Sequence, residues 1–242
     1  MIVPFCSVAT IPLSGAITPV SICTICQSVT EHARYAVAVS ETRTPGGGLR
    51  QRTRDAVRQQ IAEVALVMFD EQGFDETTVD QIAAAVDISS RSFFRYFASK
   101  EDVVLGDPMI YGEPVRRRLA EAIGSMPIWE ALRAGFESVI ETTESDPERA
   151  LRAMRVMIST PVLRARNTEK HLAWMTVLVP LVAEALVGPD EERQYHARAI
   201  TLSALTCLDV SSAEWVHRDG AVSTRVLLDE AFLLLRPAAL LP

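Results

Sequence analysis

Two signals for the start of a helix, at Thr78 and at Ser89, lie so close together that they constrain the fold of this chain more than any other feature of its sequence. Thr78 is followed three residues later by Gln81, which is the pattern of a capping box. Ser89 or Ser90 can cap a further helix that ends near Phe97. Because only a tight turn fits between the two short helices, the segment from about 78 to 97 is typical of a helix-turn-helix.

Helices are predicted on both sides of this motif. Before it, apolar residues recur every three or four positions, and the helix that they predict stops at Gly73. After it, Ser99 followed by Asp102 is a further capping pattern, which predicts a fourth helix. The apolar stripe before the motif consists of Ile61, Val64, Ala65, Met68 and Phe69.

The run from Phe74 to Val104, FDETTVDQIAAAVDISSRSFFRYFASKEDVV, resembles the N-terminal DNA-binding domain of TetR-type repressors. In that family a GF-x-x-TT-x-x-x-IA pattern precedes the turn, and a short recognition helix leads into Phe or Tyr, then x-SKE-x, then Leu or Val. Both patterns occur here, in a match that spans about sixty residues of the chain, and their combination is specific, whereas either piece alone is weak.

The resemblance implies a set of residues that contact DNA. Thr78 would begin a helix whose N-terminus points at a phosphate. Five residues would face the major groove, where Arg can bind guanine with two hydrogen bonds and Ser binds either a base or a phosphate. They are Ser89, Ser90, Arg91, Ser92 and Arg95. Tyr96 and Lys100 would contact the DNA backbone. The full set is Thr78, Ser89, Ser90, Arg91, Ser92, Arg95, Tyr96 and Lys100.

Two neighbouring features bear on the same surface. Phe94 stands where many family members have Tyr, so a hydroxyl that could bind a phosphate is missing. The basic stretch from Arg50 to Arg58 is expected to follow the DNA backbone or the minor groove.

Beyond Leu105 the helical period continues, and no stretch alternates as a strand would. We therefore predict an all-α fold with an N-terminal three-helix helix-turn-helix domain and a C-terminal helical ligand-binding and dimerisation domain. The predicted helices are 100–107, 113–124, 127–144, 147–159, 162–187, 190–216 and 222–236, with a kink in the fifth at Pro180.

The predicted domains are 50–105 for DNA binding and 106–242 for effector binding and dimerisation. Residues 1–49 are expected to be a disordered extension and linker. One explanation for this extension is that the start codon was assigned too far upstream. Their first 29 residues are uncharged, so they lack the positive region of a secretory signal, and three prolines argue against a membrane span.

The last two helices are the predicted dimer interface. Val226, Leu227, Ala231, Leu234 and Leu235 form a broad apolar stripe in the final helix. The resemblance implies that these two helices of each subunit form a four-helix bundle, while an intramolecular core is the alternative. A helix-turn-helix reads a palindrome only when it is present twice, which favours the homodimer.

An effector pocket is predicted among the middle helices, from large apolar side chains at helical spacing that could equally be core. These are Trp129, Phe136, Met154, Met157, Trp174 and Met175. This half also bears a diffuse resemblance to family members that bind acyl-CoA-like or other elongated apolar ligands. Four arginines could meet an anionic head group or form a solvated face: Arg152, Arg155, Arg164 and Arg166.

Charge and motifs limit the class of function. A net charge of −7 excludes a wholly polybasic nucleic-acid binder, yet the residues from 43 to 58 contain five Arg against a single acid. No metalloprotease pair, phosphate loop or nucleophile elbow is present, so we predict no catalysis, cofactor or metal. Cys23 and Cys26 have redox or metal spacing, but one pair alone is a weak signal.

These observations predict a cytoplasmic, homodimeric transcriptional regulator. We expect a ligand-responsive repressor that binds a palindromic double-stranded DNA operator and responds to a small-molecule effector, with no membrane partner. Two alternatives stay open: an activator of the same fold, and a ligand-binding or protein-docking helical module that has lost specific DNA binding.

Overall fold

A computed structural model describes residues 48–236 of the chain, and these residues form eleven helices and no strand. The all-α prediction is confirmed. The predictions on the extension and on Cys23 and Cys26 lie outside the described residues. The helices are α1 (Leu49–Gln72), α2 (Val79–Ala85), α3 (Ser90–Phe93), α4 (Glu101–Leu105), α5 (Met109–Ala122), α6 (Ile128–Gly135), α7 (Glu137–Ser145), α8 (Pro147–Ser159), α9 (Pro161–Ala185), α10 (Asp190–His217) and α11 (Thr224–Leu234).

Local capping chemistry explains where the helix-turn-helix begins and ends. The backbone N–H of Gln81 donates to Thr78 Oγ1 at 3.2 Å, and Gln81 Oε1 accepts from the N–H of Thr78 at 2.7 Å. This reciprocal pair is the predicted capping box. At the start of α3, Ser89 Oγ accepts from the N–H of Ser92 at 3.2 Å, so Ser89 is the cap.

The end of α1 is also set by local chemistry. Gly73 adopts a φ of +94°, which a residue with a Cβ rarely adopts, and its N–H donates to Phe69 O at 3.1 Å. The chain then folds back, so that the rings of Phe69 and Phe74 lie 4.8 Å apart. The predicted stop at Gly73 is confirmed.

One apolar core holds the DNA-binding helices together. It contains Phe69 from α1, Ile82 from α2 and Phe93 from α3, all of them buried. The same core includes Val156 from α8 and Leu163 from α9. Apolar packing therefore continues across the boundary predicted at residue 105.

A second core fills the C-terminal half. It joins α5, α6, α7, α9, α10 and α11, and the fully buried side chains at its centre are Leu119, Leu132, Phe136, Leu178 and Leu228. Pro180 lies inside α9, as predicted. None of the helices between residues 48 and 236 is long and apolar enough to cross a membrane.

Several predicted helix boundaries needed correction. The helix expected to end near Phe97 ends at Phe93, and the helix expected over 222–236 spans Thr224–Leu234. The helix expected over 127–144 is divided into α6 and α7 at Phe136, and the helix expected to begin at residue 113 begins at Met109. The earlier start follows from Asp107, whose Oδ1 accepts the N–H of Met109 at 2.9 Å. The helix expected over 100–107 ends at Leu105, because Gly106 turns the chain with a φ of +61°.

The short connection between α4 and α5 is fixed by a tryptophan from α9. Trp174 Nε1 donates to Pro108 O at 2.7 Å. The indole packs directly on Gly112 of α5, where a Cβ would lie only 2.8 Å from the ring. This connection joins the DNA-binding helices to the C-terminal half, so Trp174 fastens α9 to the junction between them.

Candidate DNA-binding site

One face of the recognition helix α3 packs against the rest of the protein, and the opposite face is exposed. Phe93 and, one turn later, Phe97 are buried in the N-terminal core. Arg91 and Arg95 are exposed. Each lies two positions from Phe93, which at 100° per residue places it on the opposite side of the helix. The anchored aromatic rings therefore aim the two arginines away from the protein.

The serines of the predicted site form hydrogen bonds within this motif. The hydroxyl of Ser90 donates to the carboxylate of Asp80 in α2. The hydroxyls of Ser89 and Ser92 lie 3.0 Å apart and share a hydrogen bond. The bond of Ser90 joins α3 to α2, and the bond between Ser89 and Ser92 stabilises the first turn of α3. A hydroxyl oxygen in such a bond can still accept another, so DNA contacts by these serines stay a prediction.

Arginines from the beginning of α1 lie beside the end of α3. Arg54 Nη2 donates to the carbonyl oxygen of Arg95 at 3.1 Å. An open cleft of about 490 Å³ is lined by Arg50, Thr53, Arg54, Arg95 and Tyr96. One turn further along α1, the guanidinium of Arg58 lies over the ring of Phe97, 4.8 Å from its centre. The cleft thus brings three guanidinium groups together.

The predicted basic arm needs a correction. The stretch from Arg50 to Arg58 is the first part of the continuous helix α1, whose first turn is closed by the N–H of Gln51 donating to Gly48 O at 2.8 Å. The minor groove is only about 6 Å wide and does not admit a helix as it admits an extended arm. This conformation favours the alternative of a contact with the DNA backbone.

Lys100 lies differently from what the prediction implies. Its ammonium donates to Phe74 O at 2.8 Å and to Thr77 O at 3.3 Å, and it lies 4.3 Å over the centre of the Phe74 ring. Lys100 therefore fastens α4 to the turn between α1 and α2. An ammonium has three N–H donors, so one is left over and a phosphate contact stays a prediction.

The arginines of this region differ in pairing from those elsewhere. None of the six arginines between residues 48 and 102 forms an ion pair with a carboxylate among the described residues. Between residues 103 and 236, ten of the fourteen arginines do: Arg116, Arg118, Arg133, Arg152, Arg155, Arg166, Arg193, Arg218, Arg225 and Arg236. Within the part of the chain that the structure describes, arginines without a carboxylate partner are thus concentrated between residues 48 and 102.

The structure does not bring the six residues of the predicted effector pocket together. Met154 and Met157 pack in or against the N-terminal core. The other four, Trp129, Phe136, Trp174 and Met175, pack in or against the C-terminal core. Both indoles are hydrogen-bonded, and Trp129 Nε1 donates to Phe232 O at 2.9 Å. These contacts give the six side chains packing roles, and a role in binding an effector stays a prediction.

The four arginines considered for an anionic head group have partners within the protein. Arg152 and Arg155 pair with Asp70 of α1, and Arg155 also pairs with Asp219 at 2.7 Å. Arg164 donates to Ile158 O, and Arg166 lies 4.0 Å from Glu169. The pairs of Asp70 link α1 to α8, which the sequence did not reveal.

A buried polar cluster on α9 was also missed. Asn167 and His171 are only 8% and 7% exposed, and both bind Asp209 of α10, at 3.1 Å and 3.2 Å. Asn167 Oδ1 and His171 Nε2 have no hydrogen-bond partner among the described residues. Lys170 lies on the same helix face with its ammonium 5.2 Å from the centre of the Trp174 ring, and burial lowers the pKa of Lys170 to about 8. The sequence feature that could have revealed this cluster is the helical spacing of the polar residues at positions 167, 170 and 171.

Two models of protein families match this chain. Residues 61–106 match the bacterial regulatory proteins of the tetR family. Residues 126–239 match the MftR C-terminal domain.

Similar proteins of known name are regulators as well. The chain is 30% identical over 181 residues to the putative mycofactocin biosynthesis transcriptional regulator MftR of Mycobacterium tuberculosis, a match that covers 75% of this chain and 90% of that protein. It is 33% identical over 183 residues to the HTH-type transcriptional regulator TcmR of Streptomyces glaucescens, which covers 72% and 80% of the two chains.

Among solved structures, the fold is similar to that of NalD, the secondary repressor of the MexAB-OprM multidrug efflux pump in Pseudomonas aeruginosa. The TM-score is 0.51 at 17% identity, and the match covers 75% of this chain and 96% of that chain. At this identity the likeness shows the arrangement of helices.

Proposed function

Since this chain belongs to the TetR family of bacterial regulatory proteins, we propose that it binds a palindromic operator as a homodimer and represses transcription until an effector binds. Membership of the family confirms the predicted DNA-binding transcriptional regulator in place of an enzyme. One observation carries the proposed mode of binding: α3 is anchored by Phe93 and directs the unpaired Arg91 and Arg95 outward.

The proposed contacts divide into two kinds. Arg91 and Arg95 contact base edges in the major groove, where a guanidinium can bind guanine with two hydrogen bonds. Arg50 and Arg54 contact phosphates from the side of α1, which positions α3 in the groove. Thr78, Tyr96 and the serines of α3 complete the proposed surface.

Exposed apolar side chains on α10 and α11 support the proposed homodimer. Leu202 and Val210 of α10 are exposed, as are Val226 and Leu234 of α11. Leu227, which the sequence placed in the same stripe, is instead buried within the protomer. A second copy that covers this face would place two recognition helices on half-sites about 34–36 Å apart, or a multiple of that distance.

The effector response is proposed to act through the junction between α4 and α5. Trp174 of α9 holds this junction. The buried cluster of Asn167 and His171 lies on the same helix, within two turns of Trp174. The unpartnered Oδ1 and Nε2 atoms would gain a partner from a ligand group that donates hydrogen bonds. We propose that the rest of the effector is elongated and apolar, as an acyl-CoA-like molecule is. The cytoplasmic location is likewise a proposal.

A selection experiment tests the proposed function. The full chain is incubated with a random duplex library at a stated salt concentration, because affinity for DNA falls steeply with salt. Bound duplexes are sequenced after competition with unlabelled random DNA. We expect enrichment of a palindrome and a complex with two chains per duplex. If no sequence is enriched although the protein is folded, the docking-module alternative is correct.

A further inference from the structure

Phe94 is the one large apolar side chain that is exposed between residues 50 and 105, with 54% of its surface accessible. Scattered apolar side chains are common on protein surfaces. This one, however, follows directly on the recognition helix, beside the exposed Arg95 and three positions after Arg91. Phe94 therefore lies on the surface proposed to bind DNA, where its ring is available for contact with a base.

The ring is held in place by the protein. It packs edge-to-face on the buried Phe93, with ring centres 5.5 Å apart and planes at 89°. Its backbone N–H donates to Ser90 O at 3.2 Å, so the residue still has helical geometry. Since residues three apart are neighbours on a helix surface, the ring lies beside the side chain of Arg91.

The chemistry of the ring limits its contacts on DNA. A phenyl group has no donor or acceptor, so it can neither bind a phosphate by a hydrogen bond nor read the polar edge of a base. The major groove offers it one apolar feature that depends on sequence, the C5-methyl group of thymine. Contact between the ring and this methyl group would remove both from water.

We propose that Phe94 contacts the C5-methyl group of a thymine in each half-site and thereby makes the operator specific for thymine at that position. This inference rests on the proposed function, because it requires α3 to lie in the major groove. The neighbouring Arg91 and Arg95 contact the adjacent base pairs, so the thymine lies next to the bases that they read.

The test uses the palindrome obtained by selection with the full chain. Each thymine of the half-site is replaced in turn by deoxyuridine, in both half-sites at once, which removes the methyl group and leaves every hydrogen bond of the base pair. Burial of one methyl group predicts a loss of affinity of about four-fold per half-site, or about fifteen-fold per dimer, at one position. Replacing a cytosine by 5-methylcytosine at a site where it occupies that position restores the affinity.

Variants show whether Phe94 is responsible. Phe94→Ala binds the thymine and the deoxyuridine operators equally, whereas Phe94→Leu, which keeps an apolar side chain, retains part of the preference. Arg91→Ala is the matched control, because it weakens binding but keeps the preference for the methyl group. Circular dichroism confirms that each variant is folded.

The outcomes separate this inference from the proposed function. If the wild-type protein binds its operator selectively but no thymine-to-deoxyuridine change weakens it, Phe94 does not read thymine and the proposed function stands. The same conclusion follows if Phe94→Ala keeps the full preference for thymine, because another residue then reads the methyl group. If no duplex is bound selectively, both proposals fall.

Discussion

The DNA-binding region, residues 48–102, and the C-terminal half use arginine in opposite ways. In the C-terminal half, arginines are mostly bound to carboxylates: Arg133, for example, contacts both Glu137 and Asp229. Between residues 48 and 102, Arg54 donates to a backbone carbonyl oxygen and no arginine has a carboxylate partner among the described residues. The same residue type thus neutralises charge in one region and leaves it available in the other.

This difference explains how a chain with a net charge of −7 can bind a polyanion. Association depends on the field at the surface that meets the partner, and total charge describes that surface poorly. Two kinds of substitution test this difference: those that remove an unpaired arginine or the residue that positions it, and those that remove an arginine already paired with a carboxylate.

The largest effect is expected from Phe93→Ala, which removes the buried ring that anchors α3. Loss of a buried phenyl ring costs about 3–5 kcal/mol in the free energy of unfolding, because it leaves a cavity in the core. Thermal unfolding followed by circular dichroism measures it. The matched control, Phe94→Ala, removes an exposed ring and costs less than about 1 kcal/mol. Equal losses in the two variants would contradict the anchoring role.

Lys100→Met sharpens the distinction between a structural and a DNA-binding cation. It removes an ammonium that donates to Phe74 O and Thr77 O, which lowers the free energy of unfolding by about 1–3 kcal/mol since a carbonyl loses its partner. Chemical denaturation checks this value, and Lys100→Arg is the conservative control. A large loss of DNA affinity with unchanged stability would show that Lys100 binds a phosphate instead.

Arg50→Ala is expected to alter the salt dependence of DNA binding. Each phosphate contact contributes about 0.9 to the slope of log affinity against log salt concentration, so the slope becomes shallower by about that amount. Titrations by fluorescence anisotropy at several salt concentrations measure it. Arg116→Ala, which removes a partner of Glu113 in α5, should leave the slope unchanged. A shallower slope in that control would mean that charge far from α3 contributes as well.

The smallest effect is expected from Arg118→Ala. Arg118 pairs with Glu141 at 2.6 Å on the surface, and such pairs contribute about 0–1 kcal/mol to stability. Denaturation and operator binding should both stay close to the values of the wild-type protein. A marked loss of operator affinity would remove the contrast between paired and free arginines.

The sequence predicted the helix-turn-helix in detail because its signals are local. Thr78 and Gln81 are three residues apart, and a cap depends on little else. The contacts that the sequence did not reveal join distant residues: Arg54 and Arg95 are 41 residues apart, and Lys100 and Phe74 are 26 apart. Helical periodicity shows which face of a helix is buried but not what covers it.

The same limit applies to the residues predicted to line an effector pocket. Met157 and Trp174 lie on apolar faces as expected, yet they belong to two different cores because α8 packs on α1 while α9 packs on α5 and α10. The helix predicted over 100–107 ends two residues earlier, at Leu105, and the contact that holds the following connection, from Trp174 to Pro108, joins residues 66 apart in the chain.

The most direct test of the central claim compares one free arginine of the recognition helix with one exposed arginine elsewhere. Equilibrium affinities of the wild-type protein, Arg91→Ala and Arg117→Ala are measured on the operator and on a random duplex at one salt concentration. Arg117 is exposed on α5 and has no carboxylate partner among the described residues. We expect Arg91→Ala to lose about 1–3 kcal/mol on the operator and less on random DNA, with Arg117→Ala unchanged on both. Equal losses for the two variants, or no loss for Arg91→Ala, would contradict the claim that the free arginines of α3 read the operator.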